Sequence, residues 1–264
     1  MDLNVNINHK ESVFHSMNIF TKIMLWGRNL FFPGNCALCG SQLIETQEIR
    51  YSLCKSCCIS INPIGGIKCA VCGKPLISEQ GSCLPCRNTA EHSHDRLWAM
   101  FPYIGKYRKL LTAYKFHKNM ALAVFFAQKI AELIVNEPLL KDAVIVPVPP
   151  RPGKIKHSGW DQVDKLVMRL KKALIDYPVV HCLKRRKSMA QKELNRAERL
   201  NNLKDKIYLK SKTSLITGGS EGIAAKTVIL IDDVITTGST MEVCSSVLKN
   251  AGAEHVYGIC LFYD

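Results

Sequence analysis

Two sets of residues in this chain have the types and spacing to do chemistry. The first is the run Val228-Ile229-Leu230-Ile231-Asp232-Asp233-Val234-Ile235-Thr236-Thr237-Gly238-Ser239-Thr240. Its four opening aliphatics read as a strand buried on both faces of a parallel sheet. Asp232 and Asp233 stand at the carboxyl end of that strand, where open α/β sheets place their ligands. Thr236, Thr237, Gly238, Ser239 and Thr240 then turn into residues 241–249, which have helical composition. A hydroxyl-rich turn opening a helix aims backbone N–H groups and a positive dipole end at an anion, most often a phosphate. Adjacent acids beside such a turn suit a ligand that also carries vicinal hydroxyls, and a phosphorylated ribose carries both. A plain strand end followed by a Ser/Thr helix cap accounts for each part separately but not for their order. The run has no Gly-Lys-Ser/Thr and so is not a Walker loop.

The second set is sulfur. Of twelve cysteines, eight form four Cys-x-x-Cys pairs: Cys36/Cys39, Cys54/Cys57, Cys69/Cys72 and Cys83/Cys86. The pattern repeats internally, Cys36-Ala37-Leu38-Cys39-Gly40 being echoed by Cys69-Ala70-Val71-Cys72-Gly73, each followed by a second pair. A Cys-x-x-Cys-Gly knuckle turns its amides toward thiolates, and two pairs supply the four sulfurs of one tetrahedral zinc. Two structural zinc sites in tandem, a double zinc ribbon, are therefore expected, with four thiolates closing each to catalysis. Sequential pairing closes a loop in each half, although interleaved pairing or the loss of one zinc also fits the spacing. Redox dithiols or an iron–sulfur cluster are the competing uses. Cys58 is a spare ligand candidate, while Cys182, Cys244 and Cys260 have the isolation of small buried hydrophobes. Ligation is worth about 10–16 kcal/mol per site in zinc-finger peptides, enough to hold a segment too short for its own core. Such thiolate chemistry points to the reducing cytoplasm.

The elements that must position these groups alternate between strand and helix from about Arg96 onward. Residues 97–103, 143–148, 178–183 and 256–262 read as strands, and 105–116, 120–135 and 161–174 as helices. The order predicts an α/β fold with a mainly parallel sheet. The turn Pro149-Pro150-Arg151-Pro152 should lie at the same sheet edge as the acid pair. There its prolines restrain the backbone and Arg151 offers charge to a phosphate, unless it is simply a proline-capped strand end. Residues 154–160 are polar and glycine-bearing, as a mobile flap would be.

Length allows an ordinary domain plus a small module: 264 residues, 47% hydrophobic. The expected division is 1–30 (polar tail and short amphipathic helix), 31–90 (double ribbon) and 95–264 (the α/β body). Residues 17–32 are apolar but carry Lys22 and Arg28, and they are expected to pack Phe20, Met24 and Leu25 against the body. No stretch reaches the roughly 18–20 apolar residues that span a bilayer. The net charge of +14 points to polyanionic partners, and residues 151–210 concentrate it, with 17 Lys and Arg against 6 Asp and Glu. Lys184-Arg185-Arg186-Lys187 reads as a basic turn. Arg196, Arg199 and Asn202 fall on one helix face, aimed at phosphate, DNA or solvent.

The run from Val228 to Thr240 resembles the phosphoribosyl-pyrophosphate (PRPP) loop of type I phosphoribosyltransferases. The whole order resembles the ComF family. It comprises Phe-Pro-x-x-Cys ending at Cys36, the four cysteine pairs, Tyr114-Lys115-Phe116, Val146-Pro147-Val148-Pro149 and Ser158-Gly159-Trp160-Asp161-Gln162. Gln191-x-x-Leu194, Arg196-Ala197-Glu198-Arg199 and Asn202 complete it. That family joins a zinc ribbon to a phosphoribosyltransferase-like domain and is linked to DNA uptake. The resemblance implies that Asp232 and Asp233 hold the ribose hydroxyls and that Thr236, Thr237, Gly238, Ser239 and Thr240 cradle the 5′-phosphate. It also implies that Arg151 faces pyrophosphate and that Mg²⁺ accompanies PRPP. Implied partners are PRPP or a phosphoribosyl nucleotide, single-stranded DNA and competence proteins, with turnover and a non-catalytic DNA-binding scaffold both open. Thr236 stands where enzymes for 6-oxopurines carry an Asp, which argues against that acceptor. Trp160-Asp161-Gln162 departs from the commoner Phe-Asn-Gln, and residues 211–222 follow no family pattern.

Overall fold

The computed structural model describes Gly27 and residues 34–89, 91–187, 196–210 and 227–264. The expectations for residues 1–16, for 17–32 apart from Gly27 (which is helical), for Gln191 and Leu194, and for 211–222 lie outside the described residues. The cysteine-rich part is irregular backbone carrying three short helices, α1 (Thr46–Tyr51), α2 (Lys55–Ser60) and α3 (Leu84–Arg87). The body then runs β1 (Arg96–Pro102), α4 (Gly105–Lys115), α5 (Leu122–Asn136), β2 (Val144–Pro147), α6 (Lys154–Ser158) and α7 (Gln162–Ala173). After these come β3 (Leu183–Arg185), α8 (Arg196–Leu203), β4 (Ile207–Leu209), β5 (Thr227–Ile235), α9 (Ser239–Asn250) and β6 (His255–Tyr263). No helix among the described residues is long and apolar enough to cross a membrane.

Four strands form a parallel sheet in the order β1-β6-β5-β2. The β5 aliphatics alternate between two cores, as a strand covered on both faces requires. Ile229 and Ile231 pack with α5 and α7 on one side, and Val228 and Leu230 with α9 on the other. Because β5 is interior, its carboxyl end opens between the ends of β6 and β2. Pro147 pairs with Ile231, and the Val148 N–H donates to the Ile231 carbonyl at 3.0 Å, so the next residues of each strand diverge around one cleft.

The strand expected at 178–183 is corrected: residues 178–182 make only an isolated parallel bridge, between Val179 and Ile145, and Leu183 instead opens β3. Beyond β2, Pro149 and Pro150 have no N–H to extend the ladder, and the chain leaves to pair β3 with β4 as an antiparallel ribbon. The basic turn 184–187 is corrected in the same way, because Lys184 and Arg185 are strand residues. The segment expected as a flap is helical over α6, between Gly153 and Gly159 at φ 84° and 76°.

The cysteine-rich part covers the open edge of the sheet. An exposed edge strand is an aggregation hazard. On β1 the Leu97 N–H donates to Val71 at 2.8 Å, and the Met100 carbonyl accepts from Ile64 at 2.7 Å. Tyr51 meets Phe125 of α5 edge-on, with ring centroids 5.8 Å apart, and its hydroxyl donates to Gln128. Closest of all is Gly73, at φ 70°, where an added Cβ would lie 2.5 Å from the Leu97 carbonyl oxygen. Its repeat partner Gly40 has φ 77° with nothing within 4 Å. Gly40→Ala should therefore cost only the left-handed backbone strain, about 1–2 kcal/mol, while Gly73→Ala should cost about twice that. Urea unfolding of the zinc-loaded protein measures the difference, which reports the docking of the ribbon on β1.

Candidate functional site

The cysteines gather in sequential order. Cys36, Cys39, Cys54 and Cys57 form one group and Cys69, Cys72, Cys83 and Cys86 the other, with the sulfurs of each group within 4.8 Å of one another. The Cys39–Cys54 and Cys72–Cys83 sulfurs are 3.7 Å apart. Zinc–sulfur bonds of about 2.3 Å in a tetrahedron put sulfurs about 3.8 Å apart, so both donor sets fit structural zinc. The repeat extends to the backbone: Cys36 and Cys69 each donate to a carbonyl five residues on at 2.8 Å, and Gly40 and Gly73 close the knuckles. Cys58 lies outside both groups, donating to the Leu53 carbonyl at 3.8 Å. Cys182, Cys244 and Cys260 are buried, as their isolation suggested.

Asp232, Asp233, Thr236, Thr240 and Arg151 line one cleft of ≈ 540 Å³ at the carboxyl end of β5. A smaller hollow of ≈ 30 Å³, bounded by Thr236, Thr237, Gly238, Ser239 and Thr240, opens beside it and shares Asp232. Gly238 takes the N-cap position of α9 at φ 76°, a left-handed conformation that a side chain would strain. The Thr237 and Ser239 hydroxyls meet at 2.9 Å across this turn. Gly238 has no side chain with which to cap α9, and the Ser239 N–H donates to the Thr237 hydroxyl at 3.5 Å.

The acid pair is held by a residue that sequence reasoning quoted without a role. Lys115, at the end of α4, places its ammonium 2.9 Å from Asp233 Oδ2. Burial pushes both carboxyls up, but they separate. Burial and the neighbouring Asp233 charge carry Asp232 up to about 8. For Asp233 burial also raises the pKa, but the Lys115 ion pair, the Lys154 charge and the contact with Asp232 together hold the carboxyl below its usual range. The Asp233 backbone N–H donates to Asp232 Oδ1 at 2.8 Å, which fixes the Asp232 side chain against the main chain.

Tyr114 explains how Lys115 is placed. Its buried hydroxyl donates to the Gln162 carbonyl at 2.6 Å, and its ring meets Trp160 at 89° and 5.3 Å. Two motifs distant in sequence thus interlock at the mouth of the cleft. Between them Asp161 caps α7, accepting from the Val163 N–H at 3.2 Å, and binds Lys154 of α6 at 2.8 Å. An Asn would make the cap alone, so the Asp adds an ion pair without changing the turn. The wall opposite the acids is cationic: Arg151, Lys154 and Arg185. Burial first, and the adjacent Arg151 charge second, lower the Arg185 pKa.

Comparison with known proteins agrees with this division. Residues 28–87 match the double zinc ribbon domain, and residues 160–264 the phosphoribosyl transferase domain. The chain is 28% identical to Competence protein ComFC of Streptococcus pneumoniae over 232 residues, 84% of this chain and 96% of that protein. It is equally 28% identical to Competence protein F of Haemophilus influenzae over 238 residues, 86% of this chain and 95% of that protein. The chain belongs to the ComF family.

Within this ComF chain the side chains of Arg196 and Arg199 lie outside the described residues, although α8 itself forms. Lys115, Lys154 and Arg185 were missed as site residues. Arg185 could have been found only by reading the basic run as a strand, which turns alternate side chains opposite ways.

The shifted carboxyls give a test of the ligand-free ComF fold. Asp232 has a folded pKa above its unfolded value, so the stability it lends is present at acid pH and lost as pH rises from about 4 to about 8. Asp232→Asn should thus raise Tm at pH 8 more than at pH 5, worth about 1 kcal/mol or more. Lys115→Met should act oppositely, costing about 2 kcal/mol at pH 8 by removing the ion-pair partner of the buried Asp233 carboxylate. Thermal unfolding at the two pH values measures both.

Proposed function

We propose that this ComF chain is a competence-related protein that binds Mg²⁺–PRPP in the cleft at the end of β5 and transfers its phosphoribosyl group. The observation that carries the reading is the pairing, in one cleft, of an acid floor and a cationic wall beside a helix that opens at a glycine. A ligand that fits must be strongly anionic and rich in hydroxyls at once. In this reading Asp232 and Asp233 accept hydrogen bonds from the ribose 2′- and 3′-hydroxyls, and the amides and hydroxyls of residues 236–240 bind the 5′-phosphate. The pyrophosphate lies along Arg151, Lys154 and Arg185. Bound Mg²⁺ supplies neutralisation of the pyrophosphate charge as the C1–O bond breaks. Lys154 of α6 and Asp161 line the cleft on this side, and their closing over the ligand would limit access of water to an oxocarbenium-like centre. Thr236, in place of an acid, argues against a 6-oxopurine acceptor. The thiolate zinc sites suit the reducing cytoplasm.

A second reading is favoured by charge. The excess of cations over residues 151–210 suits single-stranded DNA, with the phosphoribosyltransferase fold as scaffold. Calorimetric titration of Mg²⁺–PRPP into the zinc-loaded protein separates the two. Binding at one site is expected, abolished in Asp232→Asn/Asp233→Asn and weakened about tenfold in Arg185→Ala. No binding to folded, zinc-loaded wild type would overturn the PRPP reading, and DNA affinity falling steeply with salt would then support the scaffold.

A further inference from the structure

Between the second half of the ribbon and the start of α9 lies a cleft of ≈ 550 Å³, lined among others by His92, His94 and Glu242. We propose that His92, His94 and Glu242 form a third metal site, separate from both cysteine clusters, that binds a first-row divalent ion such as Zn²⁺. One ligand atom from each of the three side chains lies within 4.8 Å of the others. Two neutral imidazoles and one carboxylate are a donor set suited to zinc and its neighbours, and three protein ligands leave a further coordination position open.

The contacts around the cluster favour an ion over a simple hydrogen-bonded group. The His92 Nε2 lies 3.4 Å from the Cys86 carbonyl, which can only accept, so that nitrogen carries the proton. In the neutral ring His92 Nδ1 then presents a lone pair toward Glu242 Oε2 at 3.7 Å. A lone pair facing a carboxylate is repulsive unless a cation stands between them. The His94 Nδ1 is 3.0 Å from the same oxygen, yet the contact lacks hydrogen-bond alignment. His94 is 6% exposed, and its Nε2 and the His92 Nδ1 are buried without a hydrogen-bond partner. Orphaned polar atoms of this kind are rare and costly.

The carboxylate is also pre-positioned. The Ser93 N–H, between the two histidines, donates to Glu242 Oε1 at 2.8 Å, which leaves Oε2 for the cluster. Metal–nitrogen bonds of about 2.0–2.1 Å require ligand spacings of about 3.3 Å, which small side-chain rotations reach from here. The site would tie the linker before β1 to the first turn of α9, the helix that opens at Gly238. It is an independent claim, resting on no residue assigned to PRPP.

Metal content of the full chain tests it. After equilibration with micromolar free Zn²⁺, wild type should hold one equivalent beyond the two of the ribbons, and His92→Ala/His94→Ala and Glu242→Gln should lack it. Loading Co²⁺ into the third site should add weak visible bands without thiolate-to-cobalt charge transfer. Failure of zinc-loaded wild type to take up a third equivalent would overturn the proposal, as would a third equivalent that persists in the variants or shows a thiolate spectrum. If the variants lose ribbon zinc through misfolding, the wild-type stoichiometry and cobalt spectrum alone decide.

Discussion

The Lys115–Asp233 ion pair underlies the rest of the cleft, because two carboxylates cannot both ionise in a buried strand end without a cation beside them. The pair in turn depends on residues far from the acids. Lys115 ends α4 where it does because Tyr114 is buried against Trp160 and tied to the Gln162 carbonyl. That tie fixes the entry to α7, where Asp161 serves both as cap and as anchor for Lys154. Acid floor and cationic wall are thus parts of one hydrogen-bonded assembly, and a change at Tyr114 would be felt at Asp233.

The ribbon has a related dependence. Its sulfur clusters bury little, and zinc ligation supplies what a short segment cannot obtain from packing. The ribbon nevertheless does more than fold itself. Through Val71 and Ile64 it satisfies backbone groups of β1 that would otherwise face solvent, and through Tyr51 and Leu53 it joins the core built on α5. Metal binding and integrity of the sheet edge are therefore physically linked in this chain.

How much of this was legible in the sequence follows from the range of the interactions. The β5 run declared itself because strand, acids, turn and helix are local and consecutive. The cysteine repeat declared itself because ligand spacing within a knuckle is local, and the structure resolves its pairing as sequential. The strand at 178–183 was misplaced because residues 178–182 meet β2 at only one bridge, while Leu183 pairs with Leu209 in a separate ribbon. Lys115 carried no local signal of pairing with a residue more than a hundred positions away. His92 and His94 have a suggestive spacing, but Glu242 joins them only through the packing of α9.

The electrostatics of the ligand-free cleft explain why such a fold is retained despite its cost. Lys115 compensates one acid, and Asp232 is left to hold a proton well above the usual carboxylate range. On the other side burial, and then the Arg151 charge, lower the Arg185 pKa. A sequence selected for stability alone would replace one member of each set with a neutral side chain, as buried charge is seldom the most stable choice. Under the proposed function, acids and cations lining one cleft meet a ligand that brings hydroxyls and phosphates together. The Asp at 161 fits the same logic, since it holds Lys154 at the cleft while leaving the α7 cap intact.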